Sequence, residues 1–298
     1  MKVIRAGILG FCMGVRMAVE RAERALLEKG RSGRIYTLGS LIHNSGVCEK
    51  LERQGLLCLK KDGISSLPAG STVIIRAHGV SPVVERELSE KGIRIVDATC
   101  PNVKKSQSKA RSFVEKGFRL FIAGEKDHDE IAGIKGYAED GFPSKLPSAQ
   151  PAFYVVSNVE DAACEAGKLY RFEPEARTAL IAQTTISSDE YRSIEEEIRR
   201  FFPSLEVVNS ICKETLERQN ALRELANVDA VIIAGSRESA NTQRLLSFAR
   251  ELGKPAWLTE AACDIPPEIA AYKTVGLSAG ASTPDSLIDA IEEAIKAL

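Results

Sequence analysis

AGILGFCMGVRMAVERAERALLEKG (residues 6–30) sets one thiol, Cys12, between two glycines, after a short apolar run and before a stretch with helical spacing. A lone cysteine at such a turn is ordinarily a small hydrophobe that fills core space. Here the arrangement recurs. RIVDATCPNVKKSQSKARSF (94–113) carries Cys100, and LEVVNSICKETLERQNALREL (205–225) carries Cys212, each in the order apolar strand, short turn, cysteine, amphipathic helix. The spacing between the three corresponds to about one small α/β unit apiece. The repeat is one of pattern, with little identity between copies.

Between these points, short β-branched runs (GRIYTLG, STVIIRAH, IRIVDATC, FRLFIAG, FYVVSN, TALIAQTT, LEVVNS, DAVIIAG, KTVGLSAG) alternate with helical stretches, many closed by a glycine suited to a left-handed cap. Alternation of this kind predicts an α/β protein of three similar small parallel-sheet domains. Read along the chain, these are 1–98 with Cys12, His43 and His78; 99–207 with Cys100, His128, Glu130 and Thr184; and 208–298 with Cys212, Ser239, Asn241, Ser282 and a C-terminal helix. Ligands of open α/β sheets bind beyond the carboxyl ends of the strands, so the polar strand endings (RAHG, AGEKDH, AQTT, AGSRES, SAGAS) mark the working edge.

The chain has 298 residues, 44% of them hydrophobic and 27% charged, with a net charge of −1. That balance offers no general attraction to nucleic acid or an anionic membrane. The apolar stretch near the N-terminus is short and interrupted by Arg16, and no segment approaches the roughly 20 apolar residues of a membrane span, so a cytoplasmic protein is expected. Seven cysteines without a CxxC pair argue against a disulfide framework and fit a reducing compartment. Cys48, Cys58, Cys164 and Cys263 do not share the strand–turn–helix plan and read as filler.

A helix N-terminus favours thiolate over thiol. Three thiolates brought together could hold zinc with a fourth ligand, or an iron–sulfur cluster with one iron left open to substrate. The three histidines, His43, His78 and His128, all fall at predicted strand ends, together with Gln183, Thr184, Ser239, Asn241 and Ser282. Neutral donors with histidines, and no lysine or arginine cluster, suit a diphosphate held in a closed pocket. Walker, GxGxxG and HExxH motifs are absent. An organic-phosphate sensor, a hydro-lyase and a zinc enzyme are readings that these residues admit.

GFCMGV, RAHGVSP, DATCPNVKK, HDE, AQTT, SICKETLERQ, GSRESANTQRL and SAGASTPD follow one another across nearly the whole chain. In that order they resemble the motifs of the LytB-type 4-hydroxy-3-methylbut-2-enyl diphosphate reductases, which act last in the non-mevalonate isoprenoid pathway. The resemblance implies a trefoil-like assembly of three α/β domains around a central [4Fe-4S] cluster held by Cys12, Cys100 and Cys212, with one open iron site. It implies that His43, His78, His128, Gln183, Ser239, Asn241 and Ser282 bind the substrate, and that Glu130 and Thr184 are catalytic. An external reduced ferredoxin or flavodoxin would supply the electrons, since no flavin or nicotinamide motif is present. Two positions depart from the family pattern. Asp129 stands where the family usually has proline, adding a carboxylate beside an anion site, and Ala240 replaces a serine of the phosphate loop.

Overall fold

The computed structural model describes residues 1–28, 33–59, 63–142 and 151–298. The chain opens with β1 (Lys2–Arg5) and α1 (Met13–Leu27). Next come β2 (Ile35–Leu38), α2 (Ser45–Arg53), β3 (Leu56–Leu59), β4 (Thr72–Ile75), α3 (Pro82–Glu90) and β5 (Arg94–Asp97). The middle of the chain forms α4 (Pro101–Glu115), β6 (Arg119–Ala123), α5 (Asp129–Asp140), β7 (Phe153–Val156), α6 (Val159–Phe172), β8 (Thr178–Ala182), α7 (Ser188–Phe201) and β9 (Glu206–Val207). The remainder forms α8 (Lys213–Arg223), β10 (Ala230–Ala234), α9 (Ala240–Glu251), β11 (Ala256–Thr259), β12 (Thr274–Ala279) and α10 (Asp285–Ala297).

The strands make three four-stranded sheets, ordered β5-β4-β2-β3, β9-β8-β6-β7 and β1-β12-β10-β11. Every described register is parallel. The three orders are one order. In each sheet the strand leading to a cysteine (β5, β9 or β1) takes the same edge, beside the strand that precedes it in the first two sheets and beside the last strand of the chain in the third.

That third sheet separates the structure from a division by chain order, because the first strand pairs with β12 and not with the sheet of residues 35–97. The physical reason is occupancy: β5 already fills the equivalent edge beside β4, with Thr72–Ile75 registered against Arg94–Asp97. Lys2–Arg5 instead lines the edge of β12, and Ala6 N–H extends the ladder to Leu277 O at 2.8 Å. The apolar run AGIL therefore lies beyond the strand, in the turn. β11, which begins immediately after Pro255, is a strand the sequence pattern did not single out.

Two compact units result. One comprises Met1–Glu28, Ser40–Cys58 and Lys213–Leu298; the other comprises Lys29–Gly39 and Leu59–Cys212. In the first unit, Val231 and Ile233 of β10 face a layer with Leu222, Leu225 and Leu245, whereas Ile232 and Ala234 face Ile288, Ile291 and Ile295 of α10. In the second, Phe121 packs with Ile194 and Ile198, and Leu120 and Ile122 pack with Phe113 and Ile134. Central strands covered on both faces explain the unbroken apolar runs of the sequence. Burying each such Ile or Leu contributes about 1.5–3 kcal/mol. Gly92, Gly117 and Gly253 follow α3, α4 and α9 with φ of 66°, 80° and 73°, the left-handed stops expected from sequence.

Candidate active site

The three cysteines take equivalent places at helix starts. Cys12 caps α1, its Sγ accepting the Val15 N–H at 3.4 Å. Cys100 caps α4 with Pro101 in the first turn, and Cys212 immediately precedes α8. Each backbone N–H donates to a carbonyl just past the neighbouring strand: Cys12 to Ala281 at 3.0 Å, Cys100 to Ala77 at 3.0 Å and Cys212 to Thr184 at 2.8 Å. The preceding glycine of the first turn, Gly10, has φ 81°, and a Cβ there would come 2.7 Å from Asp285 Oδ1. Only glycine fits.

All three thiols are half-buried and outside any disulfide. In the second unit, Asn102 Nδ2 donates to Cys212 Sγ at 3.4 Å. Burial pushes the Cys100 thiol up, and the nearby Cys212 and Glu130 add to the rise against the pull of the Asn102 and Val103 amides. A bare thiolate is thus disfavoured where a bound cation would stabilise it. Soft sulfur donors in this setting fit an iron–sulfur cluster.

The second unit also assembles an acid site. Glu130, at the start of α5, is 1% exposed. Its Oε1 accepts the Thr184 N–H at 2.7 Å and its Oε2 accepts the Thr184 hydroxyl at 2.8 Å. Because the Thr184 carbonyl accepts the Cys212 N–H, one threonine ties the carboxylate to a cysteine turn. His128 caps the same helix, its Nδ1 accepting the Glu130 N–H at 3.1 Å. That bond leaves Nε2 as the donor nitrogen of a neutral imidazole. The His78 ring meets the His128 ring edge-on, 5.4 Å between centroids at 88°. The strand endings RAHG, AGEKDH and AQTT therefore come together as chemistry.

The first unit collects the remaining predicted residues at the carboxyl ends of β10 and β12, which are neighbours in their sheet. Ser239 caps α9, its Oγ accepting the Thr242 N–H at 3.4 Å. Asn241 is 5% exposed, and its Nδ2 has no hydrogen-bond partner among the described residues. A buried amide left so has a donor available to a ligand oxygen. Ser282 Oγ donates to the His43 carbonyl at 2.8 Å, joining the β12 turn to the loop before α2.

Gln183 makes protein contacts at the end of β8. It is fully buried, its Oε1 accepting the Glu125 N–H at 2.9 Å and its Nε2 donating to Thr185 Oγ1 at 3.0 Å. With both ends of the amide engaged, it holds the loop before His128.

Several supporting residues escaped the sequence reading. Arg218 of α8 is 1% exposed and donates to the Gly10 carbonyl at 2.8 Å. One turn earlier, Glu214 accepts the Met13 N–H at 3.1 Å, so the helix that begins after Cys212 grips the Cys12 turn from both sides. The only signal was the i, i+4 spacing of Glu214 and Arg218, which is common on solvated helices. Asp97 accepts the Thr99 N–H at 2.9 Å and pairs with Lys104, bracing the Cys100 turn. Cys48 donates to the Ile42 carbonyl at 3.4 Å, and Cys58, Cys164 and Cys263 are exposed. Among the described residues no helix is long and apolar enough to cross a membrane.

Comparison with known proteins agrees with this geometry. A family model described as LytB protein matches residues 3–296. The chain is 43% identical to a 4-hydroxy-3-methylbut-2-enyl diphosphate reductase of Treponema pallidum, covering 99% of this chain and 83% of the relative. It is 39% identical to the reductase of Treponema denticola, covering 98% of both. Among solved structures, the E-1-hydroxy-2-methyl-but-2-enyl-4-diphosphate reductase of Plasmodium falciparum superposes with a TM-score of 0.87 at 27% identity, over 98% of this chain and 87% of that one.

Proposed function

The chain belongs to the LytB family, and from that premise we propose how its residues divide the work of a 4-hydroxy-3-methylbut-2-enyl diphosphate reductase. The protein is an oxidoreductase that removes the allylic hydroxyl of this diphosphate to give isopentenyl and dimethylallyl diphosphate. Two electrons and two protons enter, and water leaves.

Cys12, Cys100 and Cys212 are the residues that would hold one [4Fe-4S] cluster. When bound, the cluster supplies an open Lewis-acidic iron and a path for the two electrons. The electrons come from an external carrier, a reduced ferredoxin or flavodoxin.

His43, His78, His128, Ser239, Asn241 and Ser282 bind the diphosphate. The Nε2–H of His128 and the Asn241 amide are donors suited to phosphate oxygens. Anchoring this remote group fixes the orientation of the reacting end. Glu130 carries the proton to the leaving oxygen, with Thr184 as its partner.

The observation that carries this reading is the Glu130 carboxylate, buried and held through both oxygens by Thr184, whose carbonyl binds the Cys212 turn. Anaerobic purification with assay of iron and sulfide, followed by reductant-dependent consumption of the hydroxylated diphosphate, tests it. Stoichiometric iron and sulfide with turnover that requires reductant is the expected result. Turnover without any reductant would point to a hydro-lyase, and ligand binding without turnover to a sensor.

A further inference from the structure

Asp129 introduces a carboxylate between His128 and Glu130, at the first position of α5. Its charge is not left to face an anion. Arg76, at the end of β4, meets it with Nη1 2.5 Å from Oδ2, and the two side chains are only 11% and 18% exposed. Arg76 stands two residues before His78, so the pair joins the turn carrying one histidine to the helix start carrying another.

The surroundings are shaped for this pair. Gly39, at the end of β2, has φ 75°, and a Cβ there would lie 2.8 Å from Arg76 Nη1, so glycine leaves the guanidinium its space. Further along α5, Gly136 lies so close to the turn after His78 that a Cβ would come 2.3 Å from that of Ser81. The body of α5 is therefore seated by close packing, and its N-terminal end by the ion pair.

We propose that Arg76 is paired with Asp129 to cancel the Asp129 charge beside the diphosphate site. The proposal rests on the assignment of His78 and His128 to that site. Removing one member of a buried pair leaves an uncompensated charge, whereas removing both does not. Arg76→Met alone leaves a carboxylate next to the ligand's own negative charge. Removing Asp129 as well takes that repulsion away, so the two substitutions are strongly non-additive.

The test uses the anaerobically purified holoenzyme at one pH and ionic strength, with inorganic diphosphate titrated calorimetrically and KM and kcat measured for the substrate. Arg76→Met weakens diphosphate binding and raises KM by about tenfold or more, and Arg76→Met/Asp129→Asn returns both to within about threefold of the starting protein. A double variant no better than Arg76→Met, or an Arg76→Met protein with unchanged binding and KM, overturns the proposal. Where Arg76→Met does not fold, Asp129→Asn decides: binding several-fold tighter than the double variant supports the pair, and equal binding overturns it. A starting protein that neither binds diphosphate nor turns over instead removes the site assignment itself, a result distinct from an additive cycle in an active enzyme.

Discussion

Glu130 and Thr184, far apart in sequence, form a two-point contact in which the threonine N–H and hydroxyl each take one oxygen of a buried carboxylate, at 2.7 and 2.8 Å. The backbone half of this contact survives any substitution at position 184 that keeps the N–H. The hydroxyl half does not. Thr184→Val is expected to lower kcat by about 10–100-fold with little change in KM, while Thr184→Ser stays within a few-fold, because a positioned proton carrier contributes on that scale. Steady-state kinetics with an artificial reductant checks this; a loss in Thr184→Ser with Thr184→Val unaffected would show that packing of the methyl, and not the hydroxyl, matters.

Single replacements Cys12→Ser, Cys100→Ser and Cys212→Ser are expected to lose iron, sulfide and turnover together. Cys164→Ser, on an exposed face of α6, retains all three. Metal and sulfide analysis of anaerobic samples distinguishes the two groups, and full iron retention in any of the first three removes that thiol from the ligand set.

Asp97 is expected to make stability depend on pH. Burial pushes its carboxyl upward, but the hydrogen bonds from Lys104 and Thr99 outweigh it and hold the group below the ordinary aspartate range. A carboxylate lowered in this way adds stability that is present above its unfolded value of about 3.9 and is lost as the pH falls towards the folded value. Asp97→Asn should therefore cost about 1 kcal/mol at neutral pH, and the difference should shrink below about pH 4. Urea unfolding at the two pH values measures it.

Arg218→Met removes the buried donor to the Gly10 carbonyl and exposes that turn to rearrangement. A loss of about 2–4 kcal/mol is expected, since a buried acceptor is left unmet. Chemical denaturation reads the loss, and iron retention reads its consequence for Cys12. Glu214→Ala, which removes a more exposed acceptor of the Met13 N–H, should cost roughly 1 kcal/mol, as for a helix cap.

Local chemistry made most of the architecture legible. The unbroken runs VIIA and LFIA announce strands covered on both faces, and Gly92, Gly117 and Gly253 announce helix ends, because each depends on a few neighbouring residues. The cysteines at strand-to-helix turns were legible for the same reason. The exchange of β1 was not, since the partner of Lys2–Arg5 is Thr274–Leu277 at the far end of the chain, and the edge beside β4 is taken by β5. Gln183 illustrates the same limit within the site: that its amide accepts the Glu125 N–H and donates to Thr185 is visible only once the chain has folded.

The amino-acid order by itself determined the repeated strand–turn–cysteine–helix plan, the α/β class and the set of polar strand endings, because helix and strand periodicity and turn chemistry are encoded within a few residues. Tertiary structure alone decided that the first strand completes the last sheet, that Thr184 serves both Glu130 and the Cys212 turn, and that Arg76 neutralises Asp129. Each of these depends on partners far apart in the chain, whose edges, hydrogen bonds and charges are satisfied only after the sheets have formed.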